Sequence, residues 1–249
     1  MGAGNVAWQL GHRFSETGIQ VKQVFSRTPE MGKLLADELG TGFTNRLDQL
    51  AEEADLYLLA VTDDAISSFL RQMPFGKRLV AHVAGSVPIT IFEGKAKNYG
   101  VLYPLQTLTR GKPVDFSNIP LFIEANNERN LEMLKTLAGK LSKSVYVVDS
   151  EKRAYLHLAA VIASNFTNHM FAVAEKLLQE RNLSFDLLKP LIEETIAKAL
   201  FMSPLTAQTG PAARGNKEII EKHRAMLDNH PEIKELYRVV SESIAAMRE

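Results

Sequence analysis

The sequence has no cysteine among its 249 residues. Disulfide bonds, cysteine nucleophiles and thiolate metal sites are therefore excluded, and this composition fits a cytoplasmic protein. The 29 Lys and Arg residues are balanced by 29 Asp and Glu residues, so the formal net charge is zero. Without excess positive charge, we expect no nucleic-acid partner and no binding to a membrane surface. No apolar run approaches the roughly 20 residues that cross a bilayer.

Metal and hydrolase motifs are also absent from the sequence. No spacing of His, Asp or Glu residues matches a metal site, and there is neither a G-x-S-x-G motif nor a P-loop. We therefore expect no bound metal and a small-molecule substrate.

A glycine-rich stretch stands at the start of the chain, Gly2-Ala3-Gly4-Asn5-Val6-Ala7, with the pattern G-x-G-x-x-A. The glycines allow a tight turn and close approach of a phosphate, and the small last residue lets helix and strand pack closely. Residues 8–17 are expected to form a helix whose first N–H groups would bind a pyrophosphate. The motif alone leaves open the alternative of a plain turn into a helix.

The strand that normally precedes such a turn is missing, since only Met1 stands before the glycines. That strand is central in a dinucleotide-binding sheet, so its loss should be destabilising. We expect a truncated or mis-assigned start, and the alternative is that the glycine pattern is a coincidence.

The next strand is expected at residues 19–25 and ends in Ser26-Arg27-Thr28. In a dinucleotide fold this strand end meets the adenosine ribose, where an acidic residue favours NAD and an arginine favours the 2′-phosphate of NADP. Arg27 therefore predicts NADP(H), with Ser26 and Thr28 as further cofactor contacts. An exposed loop arginine is the alternative reading.

Short apolar strands and helices then alternate, which is typical of a doubly wound parallel sheet. Strands are expected at 42–44, 55–61, 79–83, 101–103, 119–124 and 145–148, and helices at 31–39, 47–53, 65–71 and 130–141. Ligands in such sheets bind at the carboxyl ends of the strands. The predicted contacts there are Val61, Thr62 and Gly85 for the cofactor, and Ser86 and Gln106 for the substrate.

From residue 152 onward no strand pattern occurs. We therefore predict an NADP-binding domain over residues 1–150 and an all-helical domain over residues 151–249. The first helix, at about 153–181, would align His157, Ser164 and Asn168 at 100° per residue, with Asn165 to one side. This line could face water or a cleft between the domains. Further helices are expected to about 199, and at 217–227 and 231–247.

The chain resembles a known group, the 6-phosphogluconate-dehydrogenase-like reductases. Within this group it resembles the branch that has a Rossmann-like domain and a DUF2520 domain and is labelled NADP oxidoreductases. Pyrroline-5-carboxylate reductase, ketopantoate reductase and F420-dependent NADP oxidoreductase are relatives. The resemblance covers nearly the whole chain. It is carried by the motifs at 2–5, 26–28, 82–86, 103–107, 157–160, 165–169 and 209–214.

The resemblance implies hydride transfer between NADP(H) and a C=O or C=N group of a small, carboxylated metabolite at the interdomain cleft. It also implies a homodimer formed through the helical domain. Several relatives use a Lys and an Asn one helical turn apart, whereas here His157 comes first and Asn165 follows two turns later. Histidine can transfer the same proton near neutral pH.

The candidate catalytic residues are therefore His157 and Asn165. Asn168 and Arg214 are candidate substrate contacts, the arginine as a bidentate clamp on a carboxylate. A structural histidine, solvated asparagines and a dimer contact at Arg214 are the alternatives, and His82, inside a strand, is expected to be structural. A protein that binds NADP without catalysis, as a sensor or scaffold, remains open, as does the use of coenzyme F420.

Overall fold

A computed structural model describes residues 1–72 and 76–247, and the chain divides into two compact units, Met1–Asn165 and Phe166–Glu249. Every described strand lies in the first unit. Its strands are β1 (Gln23–Phe25), β2 (Gly42–Thr44), β3 (Leu56–Leu59), β4 (Leu79–His82), β5 (Asn98–Pro104), β6 (Leu121–Ala125) and β7 (Val145–Val147). Its helices are α1 (Asn5–Glu16), α2 (Pro29–Glu38), α3 (Asp63–Gln72), α4 (Glu128–Leu141) and α5 (Ser150–Ala160).

The strands form two separate sheets. β1 pairs in parallel with β2, and a five-stranded sheet has the order β3-β4-β5-β6-β7. The expected doubly wound α/β fold is confirmed with one difference: β6 runs antiparallel to β5, while the other pairs are parallel. The link from β5 to β6 contains a short 3-10 turn at Phe116–Asn118 and no crossover helix. A parallel return needs such a crossover, so β6 runs in the opposite direction.

Both faces of the five-stranded sheet are covered by helices. Neighbouring residues of β4 point to opposite faces, with Val80 in one apolar cluster and Ala81 in the other. The first cluster includes Ile66 of α3, and the second includes Leu134 of α4, all four residues being fully buried. Burial on both faces explains the continuous apolar runs of these strands.

Met1 and Gly2 join the two sheets. The Met1 amino group donates a hydrogen bond of 2.6 Å to the Leu58 carbonyl, and the Ala60 N–H donates to the Met1 carbonyl at 2.7 Å. On the other side, the Gly2 N–H donates to the Phe25 carbonyl at 2.8 Å. These two residues therefore lie between β1 and β3, at the position of the first strand in the predicted fold.

An apolar groove of about 770 Å³ extends from Met1 between the same two strands. Its walls are formed by residues 19–25 and 54–58, and its floor includes Leu10 and Phe14 of α1. Desolvation lowers the pKa of the Met1 amino group at its end to about 6. Because a charged amine is poorly solvated at this place, a neutral peptide group would be better accommodated.

Two predicted elements of the first unit differ from the structure more than the others. The helix predicted at 47–53 is wrong, because only a 3-10 turn forms at Leu47–Gln49. Gln23 holds the segment in an open conformation: its side chain donates to the Gln49 carbonyl and accepts from the Ala51 N–H. The strand predicted from residue 19 begins at Gln23. The carbonyls of Val21 and Lys22 accept hydrogen bonds from the Thr41 hydroxyl and not from a neighbouring strand.

The helix predicted over 153–181 is interrupted. α5 ends at Ala160 and is followed by a π-helical turn, Val161–Phe166, after which α6 (Thr167–Gln179) begins. The uniform step of 100° per residue, on which the predicted alignment of His157, Ser164 and Asn168 depends, is therefore wrong across this turn. π-turns inside helices are frequent at functional sites.

The second unit is helical in its described residues, as predicted. It contains α6, α7 (Lys189–Phe201), α8 (Pro204–Ala207), α9 (Lys217–Met226) and α10 (Pro231–Ala246). The contact-based division after Asn165 leaves α5 in the first unit. The predicted domain boundary near residue 150 stays a prediction.

Filling the apolar groove should stabilise the fold. We expect that five strand-forming apolar residues fused ahead of Met1 pair with β1 and β3 and bury their side chains in the groove. Each kcal/mol gained raises the Tm of a domain of this size by roughly 2–4 °C, so we expect a rise of at least about 5 °C in thermal unfolding. A Gly/Ser extension of equal length is the control. Equal Tm values for the two extensions would contradict the prediction.

Candidate active site

The glycine turn lies against the carboxyl end of β3. Gly2 has a φ of +105°, and a Cβ atom there would lie 2.0 Å from the Ala60 carbonyl oxygen. No other residue type fits this contact, because the left-handed backbone and the close approach both require glycine. The first glycine of the motif is thus explained by local geometry.

Gly4 has a different role, since nothing lies within 4 Å of the place where its Cβ atom would stand. It is the N-cap of α1 and provides no side-chain cap for the first N–H groups of the helix. Asn5 and Val6 follow as the first two helical residues. An open helix N-terminus with bare N–H groups suits an anion such as a pyrophosphate.

The turn after β1 carries Arg27 as an exposed side chain, 5.8 Å from the centre of the Phe69 ring. No carboxylate pairs with Arg27 among the residues that the structure describes. Ser26 is buried, and its hydroxyl accepts a hydrogen bond from the Thr28 N–H at 3.2 Å. Thr28 is the N-cap of α2, again without a side-chain cap. The turn therefore combines a free cation with a second open helix N-terminus.

The ends of β3 and β4 are tied to each other. Val61 packs at the edge of the apolar cluster that covers α3, and Thr62 is exposed just before α3. The hydroxyl of the exposed Ser86 donates a short hydrogen bond to the Asp63 carboxylate. This contact links the turn after β4 to the N-terminus of α3, so Ser86 is positioned by Asp63.

His157 is brought to the end of β5 by α5. Its Nδ1 atom lies 3.0 Å from the Tyr103 hydroxyl, and the two rings meet edge to face. Gly85 packs on this pair: a Cβ atom there would lie 2.7 Å from His157 ring atoms and 2.8 Å from Tyr103 Cζ. Burial raises the pKa of the Tyr103 hydroxyl. Tyr103 is therefore a neutral hydrogen-bonding partner that fixes the imidazole ring.

A buried polar network, which the sequence analysis missed, holds α5 in place. Arg153 is 1% exposed and makes a short ion pair with Glu124 of β6. Its other nitrogen donates to the Val87 carbonyl at 2.6 Å, directly after Ser86. Ser150 completes the network by donating to Glu124 and accepting from the Ile89 N–H. One signal was available: Arg153 lies one helical turn before His157.

The remaining candidate residues are spread along the chain. Gln106 is exposed after β5, and its side-chain oxygen accepts from the Thr107 N–H. Asn165 is exposed in the π-helical turn. Asn168 and Arg214 lie in the second unit and are also exposed, the arginine in a loop closed by hydrogen bonds from Arg214 N–H to Gly210 and from Asn216 N–H to Pro211.

His82 is fully buried at the end of β4 and stacks on Phe92. Its Nδ1 atom accepts from the Ala84 N–H at 3.2 Å. Burial and then the charge of Arg153 lower its pKa to about 3, so the ring is neutral. These contacts agree with a structural role. In the described part of the chain, no group of His, Asp and Glu side chains could hold a metal ion.

The chain matches known families over most of its length. Residues 1–85 match the family described as NADP oxidoreductase coenzyme F420-dependent, and residues 119–244 match a domain of unknown function, DUF2520. It is 43% identical to a Bacteroides fragilis protein designated an NADP oxidoreductase, with a TM-score of 0.94 over 98% of this chain and 96% of that one. The chain belongs to this family of NADP oxidoreductases.

More distant structures share the fold of the oxidoreductase. A Thermotoga maritima protein is 22% identical, with a TM-score of 0.75 and coverage of 97% and 98% of the two chains. A reductive aminase from Aspergillus terreus is 16% identical, with a TM-score of 0.72 and coverage of 99% and 96%. No curated protein matches the chain. Among the described residues, no helix combines the length and the apolar character needed to span a membrane.

Family membership makes the protein an NADP-dependent oxidoreductase with NADP(H) as its cofactor. The residues at the glycine turn and at Arg27 fit NADP(H). The open space at Gly4 exposes the N–H groups of α1 to a pyrophosphate, and the unpaired Arg27 offers a guanidinium to a phosphate.

The buried His82 should make stability depend on pH. The unfolded chain takes up a proton on His82 near pH 6.5, whereas the folded protein takes it up near pH 3. Between these values the free energy of unfolding therefore falls as pH drops, by up to about 1.4 kcal/mol per pH unit. We expect His82→Asn to reduce this slope in urea unfolding between pH 7 and 4. His169→Asn, at an exposed position, should keep it. An unchanged slope in His82→Asn would contradict this assignment.

Proposed function

We propose that the oxidoreductase transfers a hydride from NADPH to a C=O or C=N group of a small, carboxylated metabolite, with His157 as proton donor. The observation that carries the proposal is the His157–Tyr103 pair packed on Gly85, at the strand ends that also carry Thr62 and Ser86. The Aspergillus terreus reductive aminase is named as a complex with NADPH and ethyl-5-oxohexanoate, which is a carbonyl compound. That name supports a substrate with a C=O group here.

The proposed chemistry needs a hydride and a proton. When bound, NADPH would supply the hydride for the carbon of the C=O or C=N bond. His157, as the imidazolium, keeps its Nδ1 proton in the hydrogen bond to the Tyr103 oxygen and gives its Nε2 proton to the substrate oxygen or nitrogen. Tyr103 fixes the ring so that only Nε2 is available. The products are an alcohol or amine and a neutral His157.

The cofactor contacts follow the glycine turn and the strand ends. The N–H groups at Gly4, Asn5 and Val6 bind the pyrophosphate, and Arg27 with Ser26 and Thr28 binds the 2′-phosphate. Asn165 and Asn168 orient the substrate, and Arg214 binds its carboxylate as a bidentate partner. Ser86 and Gln106 are further proposed substrate contacts. The lack of cysteine fits a reducing compartment, and we propose the cytoplasm as the location.

A sensor or scaffold that binds NADP without catalysis is the second candidate function. It would need the glycine turn and Arg27, while His157 would serve only packing against Gly85. The family description also names coenzyme F420, which would exchange the hydride with NADP(H) in place of a metabolite. The three functions differ in what the protein consumes.

His157 should be essential for turnover and dispensable for cofactor binding. On a panel of keto and imino acids with NADPH, we expect His157→Ala to lower kcat by roughly 10²–10⁴-fold. Its Kd for NADPH should stay within about twofold. In a parallel assay with NADP⁺ and reduced F420, the proposed function predicts no turnover. Tyr103→Phe should lower kcat less and alter its pH profile, because ring orientation and not the proton is lost. His169→Ala, an exposed histidine, is the matched control.

Each outcome separates the candidates. Consumption of NADPH that depends on His157 supports the proposal. Tight NADPH binding with no turnover of any substrate supports the sensor, and turnover with F420 alone supports the third reaction. Wild-type activity in His157→Ala would remove the histidine from the mechanism.

We also infer that the protein is a homodimer formed through its helical unit. Leu200 and Phe201, at the end of α7, are 84% and 86% exposed, and Leu191 on the same helix is 62% exposed. Adjacent large apolar side chains such as Leu200 and Phe201 form a contiguous exposed patch, and such patches mark protein interfaces when they are large. A second copy of the chain is the occupant we propose.

The dimer should depend on this apolar end of α7. In sedimentation experiments we expect the wild type at twice the chain mass of 27.7 kDa and the double variant Leu200→Ser, Phe201→Ser at the chain mass. Lys198→Ser on the same helix should remain dimeric. A monomeric wild type, or an unaffected double variant, would contradict the interface.

A further inference from the structure

Arg110 is held in a fixed position by two helices. Its guanidinium lies over the Trp8 ring of α1, with Cζ 4.0 Å from the ring centre. Its Nη1 atom is 3.2 Å from the sulfur of Met31, in the first turn of α2. The side chain is half-buried. Stacking on an aromatic face restricts a long side chain that would otherwise sample many rotamers.

The loop that carries Arg110 is also anchored to α1. The side-chain amide of Gln9 donates to the carbonyls of Thr109 and Lys112 at 2.6 and 2.8 Å, and Gln9 is 8% exposed. The Arg110 N–H itself donates to the Asn5 side chain at 3.3 Å. The loop is therefore anchored to the first two turns of α1, and Asn5 directly follows the glycine turn.

The charge of Arg110 is not neutralised by the protein. A guanidinium has five N–H donors, and among the described residues the side chain has one acceptor, the weakly accepting sulfur of Met31. Glu30, the acidic residue in the first turn of α2, forms no described ion pair with it. A half-buried guanidinium with this many free donors is suited to bind an anion.

The position of Arg110 between the starts of α1 and α2 indicates which phosphate of the cofactor it would bind. Trp8 and Met31 lie in the first two turns of α1 and α2, and α2 begins at the turn of Ser26, Arg27 and Thr28. We propose that Arg110 is a second ligand of the 2′-phosphate of NADP(H), acting with Arg27 across that turn, and that it determines the preference for NADP over NAD. The assignment rests on the cofactor orientation given under the proposed function.

The pyrophosphate is the competing anion, because it would bind the nearby N-terminus of α1. The contact to Met31 argues for the 2′-phosphate, since it places the guanidinium at the start of α2 as well. The two anions can be separated by experiment, because NADH has the pyrophosphate and lacks the 2′-phosphate.

The test compares the binding of NADPH, NADH, adenosine 2′,5′-bisphosphate and 5′-AMP by calorimetry. Arg110→Met keeps an apolar side chain of similar length on Trp8 and removes the charge. We expect its Kd for NADPH and for the bisphosphate to rise about tenfold or more, with the Kd for NADH and 5′-AMP within about twofold. Arg110→Lys should recover only part of the loss. Arg129→Met, at an exposed arginine of α4, is the matched control.

Two results would overturn the proposal. An equal rise of the Kd for NADPH and NADH would assign Arg110 to the pyrophosphate or to the structure of the loop. Unchanged binding of every ligand would leave it no role in recognition. Arg27→Met in the same series tests the proposed function separately. If this variant loses its preference for NADPH and Arg110→Met does not, the proposed cofactor site is supported and only the role of Arg110 is rejected.

Discussion

The candidate site depends on one buried guanidinium. Arg153 joins β6, the turn after β4 and helix α5, because it binds Glu124, the Val87 carbonyl and Ser150 at once. Removing one partner of a buried ion pair costs about 3–5 kcal/mol, since the other charge stays desolvated. His157 lies on the same helix one turn later, so its distance to Tyr103 and Gly85 is set by a group that takes no part in the chemistry.

The two sheets are connected by a few backbone hydrogen bonds. Met1 and Gly2 supply the only bonds described between β1 and β3 in this region, and they bring the glycine turn to the ends of both. The glycine turn is thus positioned by backbone contacts, whereas the pair of His157 and Tyr103 is positioned by side chains. We therefore expect substitutions at the glycine turn to weaken cofactor binding, and substitutions around His157 to lower turnover.

Local patterns in the sequence predicted most of the fold. Alternating strands and helices, glycine stops and the glycine turn were all recognisable because they depend on neighbouring residues. The reversed direction of β6, the π-helical turn before Asn165 and the loss of the helix at 47–53 were not, since each depends on a contact with a distant segment, such as Gln23 with Gln49. For the candidate site, His157 and the glycines could be singled out from residue type and spacing, and their functional roles stay predictions. Tyr103, Arg153 and Arg110 gain their roles only from tertiary neighbours.

Gly85 shows how a residue without a functional group can limit the evolution of an active site. Its hydrogen atom faces the His157 and Tyr103 rings at a distance that no methyl group could occupy. Alanine at this position would therefore require the side chain at 157 or 103 to move or to be smaller. Residues 85, 157 and 103 are thus coupled by packing, so that a side chain at 85 requires a change at one of the two rings.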